Sequence, residues 1–183
     1  MNLEQYKKWL EENANKEERQ AYNVAEEIIY HHAYNRYTDY KIDIFPRKKF
    51  NGIEFDLLIY IWIQSKNPKN RTYRDALIGV EFKETDLEKV IQQAIVRKEF
   101  VDYIYIATNC RAWKIEQLFL MALYGIGWIF WDNRFVKMIL EPRRDKSKVE
   151  ILLDYLFNKK LEEVIGNAIE RKLKDRRLDE WSE

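Results

Sequence analysis

The sequence contains little cysteine, glycine or proline, and it lacks a long hydrophobic run. Its single cysteine, Cys110, cannot form a disulfide within the chain, and two histidines are too few for a cysteine–histidine zinc site. Five glycines and three prolines among 183 residues exclude a collagen-like or linker-like composition. No apolar run reaches the roughly 18 residues of a transmembrane helix, and no signal peptide is evident. We therefore expect a cytoplasmic protein with no membrane partner.

The chain also carries little net charge, because 32 Lys and Arg residues nearly balance 31 Asp and Glu residues and leave a charge of +1. This balance gives no indication of a nucleic-acid partner. Aromatic residues make up 15% of the chain, which is too much for a disordered segment. A chain of this length can bury the core of one domain and is marginal for two. We predict a single domain over residues 1–183.

Hydrophobic periodicity predicts an α/β protein with a mixed sheet flanked by helices. Helical spacing or strand alternation occurs over residues 3–12 (helix), 17–34 (helix), 40–45 (strand), 53–63 (strand), 76–84 (strand), 86–100 (helix), 103–108 (strand), 111–124 (helix) and 127–142 (hairpin). The mixed sheet follows because the early strands favour antiparallel pairing and the later ones are joined through helices. The predicted core spans about residues 17–142, and a helical extension follows over about 146–178.

Charged residues occur within two predicted strands that are otherwise apolar. Asp56 lies in the middle of one strand, and Glu81 and Lys83 project to the same side of another. A buried charge without a partner costs several kcal/mol, so three such groups need a common explanation. If the strands pair with these faces together, the two carboxylates converge with Lys83 beside them. A solvated sheet face with incidental ion pairs is the other explanation.

Two converging carboxylates offer the hard oxygen ligands that Mg²⁺ and Mn²⁺ prefer. A metal held there would polarise a phosphoryl oxygen and lower the pKa of a bound water. Lys83 would orient that water or stabilise charge that develops on the phosphate. The three side chains therefore predict metal-assisted hydrolysis of a phosphodiester.

The order of these segments resembles the PD-(D/E)XK nuclease superfamily. The similarity lies in GIEFD (residues 52–56), VEFK (80–83), the helix that carries Gln92-Gln93-Ala94, and VDYIYIAT (101–108). The resemblance implies an αβββαβ core like that of restriction endonucleases and Holliday-junction resolvases. It also implies a divalent-metal site and cleavage of DNA, with RNA as the other substrate class. A catalytically inactive module of this fold, which binds nucleic acid or a protein partner, is the alternative.

The resemblance also implies roles for individual residues. Asp56 and Glu81 correspond to the metal-binding carboxylates of the motif, and Lys83 to its lysine, which positions the attacking water. The proline of the motif is absent, because Phe55 precedes Asp56.

Two further residues follow from the same resemblance. Several subfamilies add a metal-binding glutamate from the first core helix, for which Glu27 is preferred here and Glu26 is second. The glutamine of the following helix corresponds best to Gln93, with Gln92 as the alternative. It would orient Lys83 or a substrate phosphate.

Basic residues cluster at both ends of the strand that contains Asp56. We predict that they contact the phosphates of a nucleic acid: Arg47, Lys48, Lys49, Lys66, Lys69, Arg71 and Arg74. A single basic run is usually a solvated loop, but the position of both clusters beside the predicted site favours binding. Packing accounts for most of the apolar surface of the last predicted helix, and a homodimer would use the rest.

Overall fold

Six strands and four α-helices make up the part of the chain described by the computed structural model, residues 1–34, 40–50, 52–63, 74–111 and 113–145. The helices are α1 (Leu3–Asn13), α2 (Ala21–Ile29), α3 (Leu87–Arg97) and α4 (Ile115–Tyr124). The strands are β1 (Tyr40–Phe50), β2 (Ile53–Ile63), β3 (Arg74–Lys83), β4 (Tyr103–Thr108), β5 (Gly127–Trp131) and β6 (Val136–Leu140). Two 3₁₀ helices, Lys16–Glu18 and Lys98–Phe100, and a π-helical turn, Tyr30–Tyr34, complete the described elements.

The strands form one mixed sheet in the order β1-β2-β3-β4-β5-β6, which confirms the predicted architecture. Pairing is antiparallel between β1, β2 and β3, parallel between β3, β4 and β5, and antiparallel again in the hairpin of β5 and β6. No helix in the described ranges is long and apolar enough to cross a membrane. The chain divides into two compact units, Met1–Val149 and Glu150–Glu183. The predicted helix over residues 146–178 lies outside the described residues.

Helices cover the sheet because alternate strand residues are apolar on both faces. On one face, Val24 and Ile28 of α2 join a core with Ile59, Ile78 and other strand residues. On the other, α3 packs on β3 and β4 through its buried Val90, Ile91 and Ala94. The site-bearing strands β2 and β3 are therefore central and shielded on both sides.

The prediction that the first strand covers only residues 40–45 and stops at Pro46 is wrong. β1 continues to Phe50, and Pro46 lies opposite Leu57 within the ladder. β1 is at the edge of the sheet, where a missing backbone N–H removes no bond to a further strand. The next residue, Arg47, has a φ of +46°. This value lies outside the β region, so the backbone departs from regular strand geometry at Arg47.

Gly127 lies where β5 passes beneath the ring of Tyr105. A Cβ added at Gly127 would be 2.5 Å from Cδ1 of Tyr105 and 3.0 Å from Cδ of Pro142. The Tyr105 ring cannot move freely, because its hydroxyl is hydrogen-bonded to Nε2 of His32 at 2.8 Å. We expect Gly127→Ala to lower the free energy of unfolding by about 1–3 kcal/mol, measured by urea denaturation. An unchanged free energy of unfolding would show that the Tyr105 ring can move aside without cost.

Candidate functional site

Asp56 lies at the point where β2 and β3 separate. Their paired register ends with Leu57 opposite Val80. Beyond that pair, Oδ2 of Asp56 accepts a hydrogen bond of 2.8 Å from the backbone N–H of Phe82. The regular alternation predicted for β2 is interrupted here, because Phe55 packs at Gly79, on the face opposite the core that holds Leu57. The Asp56 carboxylate is therefore fixed beside the peptide that joins Glu81 to Phe82.

Glu81 is almost completely buried, with a relative exposure of 1%. Burial, and after it the charge of Asp56, raise its pKa to about 9 against the lowering effect of Arg97. The pKa of Asp56 is also raised, first by burial, while the N–H of Phe82 and the charge of Arg97 lower it. Two neighbouring carboxylates that are costly to ionise form a site that a bound cation would stabilise.

Arg97, which the sequence reasoning missed, supplies the nearest cation to Glu81. Its Nε lies 2.9 Å from Oε1 of Glu81, but the Nε–H is donated to the backbone oxygen of Glu54 at 2.7 Å. The contact with Glu81 is thus electrostatic, and Oε1 remains buried without a hydrogen-bond partner. A signal for Arg97 exists in the sequence: it follows Ala94 by three residues and Gln93 by four, so it continues the inward side of α3.

Lys83 contacts Glu17, a residue that the sequence reasoning also left out. Its Nζ lies 2.8 Å from Oε1 and 3.1 Å from Oε2 of Glu17. This contact raises the pKa of Lys83. Glu17 belongs to the 3₁₀ helix Lys16–Glu18, whose first turn is fixed by a reciprocal capping box between Asn15 and Glu18. The acidic residue of the N-terminal helical region that reaches Lys83 is therefore Glu17, while its neighbour Glu18 pairs with Arg47 of β1.

The structure does not bring Glu27 to this site. Glu27 and Glu26 line a pocket of about 780 Å³ whose lining includes Tyr30 and Arg134 but none of the three motif residues. The physical reason is the course of the helix, since Glu27 lies ten residues beyond Glu17 and α2 contacts β6 at the far side of the sheet.

Gln93, the preferred glutamine, lies on the same side of α3 as Arg97. Gln93 is half-buried, one turn before Arg97, whereas Gln92 is exposed. The helix thus presents Gln93 and Arg97 on one side, and Arg97 is the residue with a described contact to Glu81.

Most of the predicted phosphate contacts are either engaged within the protein or not described. Arg47 does not extend from a loop; it forms an ion pair with the buried Glu18, with Nη2 2.5 Å from Oε2. Lys49 pairs with Glu54 at 3.1 Å, and Lys48 is half-buried. Three predicted contacts and one side chain lie outside the described residues: Lys66, Lys69, Arg71 and the side chain of Arg74. The predicted homodimer stays a prediction.

The donor set of Asp56 and Glu81 fits a hard divalent cation only in part. Within the described ranges, no group of three or more His, Cys, Asp or Glu side chains is arranged to hold a metal. Mg²⁺, however, is commonly bound by one or two carboxylates while waters and substrate phosphates supply the other ligands. Two carboxylates on adjacent strands, one with a buried oxygen that accepts no hydrogen bond, are enough for this mode of Mg²⁺ binding.

Comparison with known proteins adds a similarity of fold. No family model matches the chain, and no curated protein matches it. Among solved structures, SPO1766, a protein of unknown function from Silicibacter pomeroyi, is similar with a TM-score of 0.51 and 12% identity. The similarity covers 83% of this chain and 90% of that one. At this identity it shows a shared fold alone.

The raised pKa of Glu81 makes the stability of the metal-free protein depend on pH. The folded protein keeps this proton up to about pH 9, whereas the unfolded chain releases it near the ordinary value of 4.5. Its contribution to the free energy of unfolding is fully present below pH 4.5 and is lost as the pH rises towards 9. Glu81→Gln removes this titration. We expect the stability of the variant relative to wild type to grow by about 2–4 kcal/mol between pH 5 and pH 8.

Urea denaturation in EDTA at several pH values measures this difference. Glu88→Gln is the matched control, because Glu88 is exposed on α3 and should give no pH-dependent difference. A constant difference between Glu81→Gln and wild type across this range would mean that Glu81 is already ionised in the folded protein.

Proposed function

We propose that this protein is a metal-dependent nuclease of the PD-(D/E)XK type that hydrolyses phosphodiester bonds in DNA. The observation that carries the proposal is the buried carboxylate of Glu81, which has an oxygen without a hydrogen-bond partner and lies beside Asp56 on the adjacent strand. Burying two carboxylates together is unfavourable unless a cation binds them. A stabilising salt bridge alone would not require a second carboxylate at the same place.

Each residue of the site has a role in this proposal. Asp56 and Glu81 would hold Mg²⁺ or Mn²⁺, which when bound polarises a phosphoryl oxygen and lowers the pKa of a bound water. The Phe82 N–H holds Oδ2 of Asp56, and Oδ1 would be the oxygen that binds the metal. Lys83 carries the positive charge that would hold the attacking water and a phosphate oxygen.

Glu17, and not the helix glutamate that the resemblance implies, is the acidic residue beside Lys83, and its role differs from that of a metal ligand. Its carboxylate keeps Lys83 protonated and extended towards the N-terminal helices. Because both Glu17 and Lys83 are partly exposed, with side-chain exposures of 34% and 24%, a phosphate can reach their contact. Substrate binding would exchange the Glu17 partner of Lys83 for a phosphate oxygen.

The second candidate is a catalytically inactive module of the same fold that binds nucleic acid or a protein partner. One observation favours it: the ammonium of Lys83 is paired with Glu17 and the carboxylate of Glu81 is in contact with Arg97. Both groups needed for cleavage thus have partners within the protein.

A cleavage assay separates the two candidates. Purified protein is incubated with supercoiled plasmid, single-stranded DNA, branched DNA and RNA in Mg²⁺, in Mn²⁺ and in EDTA. The nuclease proposal predicts cleavage of at least one DNA substrate with either metal and none in EDTA. Salt-dependent DNA binding with no cleavage of any substrate would favour the inactive module instead.

A further inference from the structure

We propose that Arg97 is a resident cation of the Asp56–Glu81 site, and that a divalent metal must displace its guanidinium from Glu81 in order to bind. The inference rests on the proposed function, since it concerns the metal site of that function. It adds a competing group within the chain, which sets the metal concentration at which the site fills.

The position of Arg97 supports this role. Its side chain is 13% exposed, and Nε lies 2.9 Å from Oε1 of Glu81, the buried oxygen that lacks a hydrogen bond. Its charge also acts on Asp56. One guanidinium thus favours the ionised form of both proposed metal ligands, as a bound metal would.

The hydrogen bonding of Arg97 indicates that a metal can replace its contact with Glu81. The Nε–H is donated to the backbone oxygen of Glu54 at 2.7 Å, so no Nε hydrogen bond to Glu81 has to break when a metal arrives. The interaction to be lost is electrostatic, and the metal replaces it with a stronger one of the same kind. A divalent ion and a guanidinium at one carboxylate oxygen repel each other, so each lowers the affinity of the other.

The last turn of α3 provides a suitable place for such a group. Arg97 is the final residue of α3, where a cation is favoured by the exposed carbonyl groups at the helix end. The neighbouring Lys98 points elsewhere and pairs with Asp145 at 3.3 Å. This difference makes Lys98 a matched control: it is a basic residue at the same helix end but belongs to another ion pair.

Metal binding by variants tests the inference without any activity assay. Mg²⁺ is titrated into wild type, Arg97→Met and Lys98→Met by isothermal titration calorimetry at pH 9, where protons compete less for Glu81 than at neutral pH. The melting temperature is recorded with and without Mg²⁺. We expect Arg97→Met to bind Mg²⁺ at least about tenfold more tightly than wild type, and Lys98→Met to bind like wild type. We also expect Mg²⁺ to raise the melting temperature more in Arg97→Met than in wild type.

The outcomes distinguish this inference from the proposed function. If wild type binds Mg²⁺ and Arg97→Met binds it no more tightly, the displacement inference is overturned and the nuclease proposal stands. If only the variant binds, the inference holds and the nuclease proposal fails for the natural chain. If neither binds, both fail. Should Arg97→Met not fold, Arg97→Gln, which keeps a side-chain donor for the Glu54 oxygen, is measured in its place against the same expectation.

Discussion

Asp56→Asn is expected to lower the rate of metal-dependent DNA cleavage by about a thousandfold or more. The substitution keeps the size of the side chain and retains an oxygen that can accept the hydrogen bond from the Phe82 N–H. It removes the negative charge that the proposed metal site needs. Loss of about 4 kcal/mol of transition-state stabilisation, the scale of an electrostatic contribution at a metal site, corresponds to this factor.

Initial rates of plasmid nicking at saturating Mg²⁺ measure the effect. Asp43→Asn is the matched control, since it changes an aspartate of the neighbouring strand β1 that lies opposite Tyr60 and away from Glu81. The control should cleave like wild type, and both variants should keep the wild-type melting temperature within a few degrees in EDTA. A rate for Asp56→Asn within tenfold of wild type would exclude Asp56 as a metal ligand.

Arg47→Met is expected to lower the free energy of unfolding by about 2–3 kcal/mol, less than for a fully buried pair because the Arg47 side chain is 37% exposed. Arg47 approaches Glu18 with two nitrogens, at 2.5 Å and 3.2 Å, and Glu18 has a relative exposure of only 4%. Nη2 also donates to the backbone oxygen of Asn13, and the guanidinium lies 5.2 Å from the ring of Trp9. Removing the guanidinium leaves a buried carboxylate without its counter-charge.

Two comparisons isolate the cause of this loss in urea denaturation experiments. The double variant Arg47→Met with Glu18→Gln should be more stable than Arg47→Met alone, because it no longer buries an unpaired charge. Lys49→Met breaks an exposed pair with Glu54 and should cost less than about 1 kcal/mol. If Arg47→Met keeps its stability but loses DNA affinity, Arg47 contacts phosphate as the sequence first suggested.

The sheet and the placement of its central acidic residues could be predicted from sequence because both depend on local patterns. The alternation of apolar residues predicted β2 and β3. Asp56 and Glu81 were then recognisable as acidic residues within otherwise apolar strands. The end of β1 could not be located in this way. On its own, Pro46 predicts the end of a strand. It is accommodated within β1 only because β1 lies at the edge of the sheet.

The partners of the site residues could not be predicted, because they depend on tertiary contacts between distant segments. Lys83 and Glu17 are 66 positions apart, and nothing local in either segment indicates the pairing. Helical periodicity showed which side of α2 faces the sheet but not which end of the helix lies near Asp56. For that reason the choice of Glu27 missed the site, while Glu17 in the preceding turn reaches it.

The balanced charge of the chain has a structural explanation in the described residues. Several basic residues are paired with specific carboxylates, including Arg47 with Glu18, Lys83 with Glu17, and Arg97 with Glu81. The first two pairs join elements that are distant in sequence, whereas Arg97 and Glu81 belong to the consecutive elements α3 and β3. Basic residues that appear from the sequence to be available for phosphate therefore also stabilise the fold.

The most direct test of the proposed metal site is anomalous diffraction from crystals grown with Mn²⁺. The proposal predicts a strong anomalous peak within ligand distance of carboxylate oxygens of both Asp56 and Glu81, with Lys83 nearby. The same crystals of Asp56→Asn should lack it. Binding of Mn²⁺ elsewhere in a protein that cleaves DNA, with these two carboxylates unligated, would contradict the account.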